Sequence, residues 1–153
     1  EKPIKNIDFL DKIEVKKKYP STIVIKIYET KPLAIIFKKD KRYLLDSKSK
    51  VIDLNKKIKI NNLPTVLGEG AELDFINFFK KLEDNNFPKE KIKNYFYFQN
   101  NRWDLQLFNN QTIKFPEKER SKAIRQSIEL LKRQDFKNYN IIDLRVDGRI
   151  IVE

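Results

Sequence analysis

Between Ile92 and Phe115 the chain reads IKNYFYFQNNRWDLQLFNNQTIKF, and this stretch limits the possible folds more than any other. Aromatic and β-branched residues fill it, and Asn-Asn pairs at 100–101 and 109–110 supply turns, so it predicts a meander of three strands. Trp103, Leu105 and Leu107 alternate toward one face, which requires a second layer to cover them. Two segments with helical period supply that layer. AELDFINFFKKLEDNN carries Leu73, Ile76, Phe79 and Leu82, widened by Phe75 and Phe78. The second helix, spanning about Glu117 to Arg133, follows Pro116, starts with acidic residues, ends on Lys132 and Arg133, and shows an Ile124, Ile128, Leu131 stripe. Trp103 in such a frame anchors a core.

The remaining segments add strands. IEVKKKY, from Ile13, precedes Pro20-Ser21, and TIVIKIYE then alternates Ile23, Ile25 and Ile27 against Val24, Lys26 and Tyr28, the pattern of a half-buried strand. LAIIF follows Pro32, and RYLLDSKSKVID predicts two short strands about a Ser-Lys-Ser turn flanked by Asp46 and Asp53. NNLPTVLGEG reads as a loop; no phosphate-binding pattern surrounds Gly68 and Gly70. Strands outnumber helices and several are joined by tight turns. The fold class is therefore α+β, a largely antiparallel sheet with two helices on one side.

The last residues, NIIDLRVDGRIIVE, pose a separate question. Two apolar runs flank Asp147-Gly148, a strong signal for a hairpin with a two-residue type I′ turn. That turn would set Val146 opposite Arg149, Leu144 opposite Ile151, Arg145 opposite Ile150 and Asp143 opposite Val152. The final arm then carries apolar groups on both faces. At a sheet edge it would expose unpaired amides and carbonyls, which proteins usually blunt unless a partner strand pairs there. Asp143 and Arg145, two apart, project to the same face and suit a local ion pair.

Composition narrows the chemistry. The 153 residues contain neither Cys nor His, which removes thiolate nucleophiles, imidazole bases, disulfides and most zinc sites. No catalytic constellation, cofactor motif or metal-ligand spacing is present, and no apolar run reaches the roughly 18 residues of a membrane span. The opening Glu1-Lys2-Pro3, without an initiator Met, reads as an internal piece of a longer product. The net charge of +11 raises an alternative function, a basic nucleic-acid-binding module. Only seven of the 33 basic residues are Arg, and the Lys are scattered, whereas nucleic-acid readers concentrate Arg and stacking aromatics.

Several stretches, in order, resemble one family, the FtsQ/DivIB cell-division proteins. VKKKYPSTIVIKIYETKPLAI is similar to the end of that family's POTRA domain, with Tyr19 before Pro20 and Glu29, Pro32 and Ala34 in an E-x-x-P-x-A signature. YLLDSKSKVI resembles an Asp-x-x-Gly-x-Val hairpin in which Ser49 replaces the usual Gly. LPTVLG, RWDLQLFNNQTIKFPE and IIDLRVDGRIIV follow, and the last two look most like alphaproteobacterial members. The resemblance implies a division at 1–36, the C-terminal portion of a POTRA domain, and 37–153, a β domain, with Lys5 to Lys12 closing a POTRA helix. It implies a non-enzymatic, single-pass inner-membrane protein of the division septum, anchored by an N-terminal helix outside this chain, with this part in the periplasm. It also implies FtsB as direct partner, with FtsL behind it, further links to FtsK, FtsW, FtsI and FtsN, and a role in controlling septal peptidoglycan synthesis. Carried over residue by residue, the FtsB site falls on Arg102, Asp143, Arg145, Val146, Gly148, Arg149, Ile150, Ile151 and Val152. Arg145 is the expected donor to an acidic FtsB residue, and Val146 stands where an aromatic is common. A recruitment surface falls on Ile13, Val15 and Tyr19. No cofactor, metal or nucleic acid is implied.

Overall fold

A computed structural model describes residues 10–54 and 62–153. The first two strands, β1 (Leu10–Lys18) and β2 (Thr22–Glu29), form an antiparallel two-stranded sheet. The rest build a nine-stranded sheet from β3 (Pro32–Lys38), β4 (Lys41–Asp46), β5 (Val51–Asp53), β6 (Thr65–Leu67), β7 (Ile92–Phe98), β8 (Arg102–Leu107), β9 (Thr112–Lys114), β10 (Ile141–Asp143) and β11 (Ile151–Val152). Its order is β11-β10-β9-β8-β7-β6-β3-β4-β5. Helices α1 (Ala71–Asp84) and α2 (Arg120–Lys132) complete the fold. The predicted α+β class holds, and five of the eight neighbouring strand pairs in the large sheet are antiparallel.

One residue row crosses the sheet and explains where the core lies. Ile36, Val66, Tyr95, Leu105, Ile113, Ile142 and Val152 are successive cross-strand neighbours, and all but the last are buried. Against this row α1 sets Phe75, edge-on to Tyr95 at 5.2 Å between ring centroids, and Phe78, stacked on Trp103 at 5.1 Å. Because strand side chains alternate, Phe96, Asp104, Lys114, Asp143 and Ile151 form the adjacent row on the opposite face. The two helices thus cover one face and leave the charged row on the other.

Several details depart from the sequence reading. NNLPTVLGEG is not all loop: β6 inserts between β3 and β7 as a parallel strand. A three-residue strand is too short to show a period, which hid it. At its end Gly68 has φ +121°, and a Cβ there would lie 2.2 Å from the Tyr97 carbonyl oxygen, so a glycine is required. In α1 the buried stripe is Ala71, Phe75, Phe78 and Leu82, while Leu73 is 85% exposed; the larger aromatics turn the helix toward themselves. The second helix starts at Arg120, after Glu119 in a left-handed conformation, and so has no acidic first turn. TIVIKIYE forms β2 but is exposed along its whole length and is not half-buried. Residues 5–9 of the expected POTRA helix lie outside the described residues, and Leu10 to Lys12 already belong to β1, where pairing with Glu29 and Tyr28 holds them extended. The expected division at 36/37 falls within β3, a continuous strand of the large sheet.

Candidate functional site

The strand order ends at β11, whose outer edge meets no strand among the described residues. Its register differs from the sequence expectation. Asp143 faces Ile151 and Ile142 faces Val152, a slip of one residue that exchanges the two faces. One local bond accompanies it. The Asp143 carboxylate accepts the Arg145 backbone N–H at 3.0 Å, which takes that amide out of the hairpin ladder, while the Leu144 N–H, donating to the Lys114 carbonyl at 2.9 Å, continues the pairing of β10 with β9. The turn itself sits where predicted, closed by Arg149 N–H to the Val146 carbonyl at 3.1 Å. Only Gly148 has positive φ there, which matches a type II turn and not type I′. Ile151 consequently lies on the open face, 48% exposed, while Val152 continues the core row.

The backbone polarity of the edge follows. Glu153 and Ile141 exchange both N–H···O bonds, at 3.1 and 3.2 Å. In an antiparallel ladder such pairs recur every second residue, so Ile151 bonds inward and the N–H and C=O groups of Ile150 and Val152 point outward.

Charged groups gather beside this edge. Arg145 Nε donates to both Asp143 carboxylate oxygens at 2.9 Å. Burial opposes the charge on Asp143, but the hydrogen bonds from Arg145, with Lys114 nearby, hold its carboxyl below the usual range. One strand pair further in, Asp104 stands opposite Lys114, and Arg102 Nε approaches Asp104 Oδ1 at 3.5 Å. That gap exceeds a hydrogen bond, and both atoms are buried without a hydrogen-bond partner. Burial pushes the Asp104 carboxyl up, aided by the Asp143 charge and against the pull of Arg102, Lys114 and Arg145. The Arg102 guanidinium lies over the Phe98 ring, 4.1 Å from its centroid.

The predicted residues are therefore brought together in two steps. Arg102, Asp143, Arg145 and Ile151 share the open face; Val146, Gly148 and Arg149 form the turn; Ile150 and Val152 supply the outward backbone groups. A groove of about 380 Å³ between the start of α2 and residues 144–147 adjoins them. Ile13, Val15 and Tyr19 lie apart, on the β1–β2 hairpin, with Tyr19 89% exposed. Sequence reasoning missed Asp104 and Lys114. The alternation that turns Trp103, Leu105 and Leu107 inward also turns Asp104 to the open face, so the signal was present for the former; the pairing of Lys114 needed the register.

The comparisons agree with this architecture. A family model described as cell division protein FtsQ/DivIB, C-terminal, matches residues 34–145. The chain is 28% identical to the cell division protein FtsQ of Rickettsia conorii over 98% of its own length and 57% of that relative. It is 30% identical to the FtsQ of Rickettsia prowazekii over the same shares, and 24% identical to that of Agrobacterium fabrum over 96% of the chain and 47% of the relative. The chain thus spans little more than half the length of the rickettsial relatives, and it belongs to the FtsQ/DivIB family of cell-division proteins.

Proposed function

We propose that this chain is the periplasmic portion of a non-enzymatic divisome scaffold that binds FtsB by accepting a strand of it along β11. The observation that carries the reading is the outer edge of β11. It presents outward backbone groups at Ile150 and Val152, exposed Ile151, and the Arg145 guanidinium on the adjoining face. Strand addition draws affinity from main-chain hydrogen bonds and specificity from alternate side chains. A strand laid on β11 would find Ile151 on one face and Ile150 on the other.

In this reading FtsB carries FtsL with it, while links to FtsK, FtsW, FtsI and FtsN place the protein between early and late division proteins and in control of septal peptidoglycan synthesis. An N-terminal transmembrane helix outside this chain would hold it in the inner membrane at the septum. The β1–β2 hairpin is the end of a POTRA domain, with Ile13, Val15 and Tyr19 on its recruitment surface. The pairing of β3 with β4 and β6 supports counting the whole of β3, from Pro32, with the β domain.

The test is calorimetric titration with a peptide from the periplasmic C-terminal region of the same organism's FtsB. Ile150→Pro and Val152→Pro each remove one outward donor. Each should weaken binding about tenfold, as loss of one net hydrogen bond of about 1.4 kcal/mol requires, with the melting temperature little changed for Ile150→Pro. Unaltered affinity in both folded variants would place the docking site elsewhere.

A further inference from the structure

Asp104 has no place in the docking scheme above, yet it is the most anomalous side chain on the open face. It is 6% exposed, it retains a carboxylate oxygen without a hydrogen bond, and the nearest cation, Arg102, stops 3.5 Å away with its own Nε unpaired. A buried polar atom left unsatisfied costs stability, so its presence asks for a use. The layering of charge supplies one. The carboxylates of Asp104 and Asp143 lie deep, whereas Arg102 and Arg145 reach further into solvent. Cations outnumber carboxylates in this cluster, with Lys114 opposite Asp104, so the open face from β8 to β10 is positive above a buried negative floor.

Resting on the strand-addition reading, we propose that Asp104 is a positioning residue for the partner contact: its buried carboxylate, with the Phe98 ring, holds the Arg102 guanidinium on the open face, three strands in from β11, set to receive an acidic side chain where the docked segment continues across that face. Arg145 is already committed to Asp143 by two Nε contacts at 2.9 Å. Arg102 has only its buried Nε turned to Asp104, at a distance too long for a hydrogen bond. Its two terminal nitrogens, for which no hydrogen bond is formed among the described residues, remain for a partner carboxylate, and the order imposed by Asp104 and Phe98 lowers the entropy lost on binding.

The sign of one substitution separates this from simple electrostatics. Removing the Asp104 charge makes the surface more positive, and an acidic ligand should then bind more tightly if net charge alone matters. A positioning role requires the opposite. With the FtsB peptide above, Asp104→Asn should weaken binding about fivefold. With a version of the peptide whose Asp and Glu are replaced by Asn and Gln, the variant and parent should bind equally. Tighter binding by Asp104→Asn, or equal loss toward both peptides, would overturn the proposal while leaving strand addition intact; a parent chain that binds neither peptide would overturn the functional reading itself. A second measurement needs no partner. In the free chain, phenylglyoxal should modify Arg102 several-fold faster in Asp104→Asn than in the parent, read by peptide mass mapping, with Arg42 as internal reference. An unchanged rate would show that Asp104 does not hold the guanidinium.

Discussion

Trp103 and Asp104 are neighbours on β8 and enter two charged clusters built in opposite ways. On the helix side, Asp74 of α1 accepts Trp103 Nε1 at 2.9 Å, Arg120 at 2.8 Å and Asn77 at 2.9 Å. Arg120, only 6% exposed, also donates to the Asn101 carbonyl. One ion pair thereby joins α1, α2, β8 and the β7–β8 turn. Each cluster keeps a buried arginine Nε without a hydrogen bond, Arg120 on the helix side and Arg102 on the open face, so the contrast lies in the carboxylates. Both oxygens of Asp74 accept hydrogen bonds, whereas Asp104 Oδ1 accepts none. The same strand thus meets a carboxylate fully used in holding the fold, and carries another left incomplete where a partner contact can make use of it. Completeness of carboxylate hydrogen bonding, more than burial or charge, distinguishes the helix-side cluster from the open-face one.

The largest expected effect falls on the helix side. Arg120→Ala removes the counter-ion of Asp74 and the donor to Asn101. Breaking a buried pair from one end destabilises by about 3 kcal/mol, which urea denaturation would read as a large fall in midpoint. The remaining folded fraction should bind the FtsB peptide normally. A loss under about 1 kcal/mol would remove the distinction between the two clusters.

Asp104→Asn sharpens the comparison from the other side. The substitution retains shape and relieves a carboxylate that burial disfavours, so stability should change by no more than about 1 kcal/mol, and toward greater stability. Denaturation and peptide titration should therefore rank the two clusters in opposite order, with the helix-side variant losing stability and the open-face variant losing affinity.

How much of this was legible beforehand varied with the physics involved. The meander was visible because aromatic alternation and Asn-Asn turns act locally, and Asn101 and Asn110 do adopt positive φ. The turn at Asp46 was visible for the same reason, and its carboxylate accepts the Lys48 and Lys50 N–H groups at 2.8 Å. Ser49, in the place of the family's usual Gly, takes the positive φ that a Gly there would serve. The terminal pairing was misread by one residue because Asp143 bonds its own chain two residues on, a side-chain choice that period-two reasoning does not contain. The Asp74–Arg120 pair was not legible at all, since 46 residues separate its members and only the packing of α1 beside α2 joins them.

The smallest effect is the most diagnostic, because the two aspartates should respond to acid with opposite signs. For Asp74, burial opposes ionisation but hydrogen bonds from Trp103 and Asn77 and the Arg120 charge outweigh it, so its folded pKa lies below the unfolded value. Its contribution is complete above the unfolded pKa and is lost as pH falls through the folded one. For Asp104, burial raises the folded pKa above the unfolded value. Its contribution is complete below the unfolded pKa and is lost as pH rises through the folded one, leaving a net penalty at neutral pH. Urea midpoints of the parent, Asp74→Asn and Asp104→Asn between pH 7 and pH 3 test this directly. The advantage of Asp104→Asn over the parent should vanish first on acidification, as Asp104 takes up its proton, while the deficit of Asp74→Asn persists and narrows only below about pH 4. If both differences narrow together, the two carboxylates share one environment, and the division between a finished and an unfinished cluster fails.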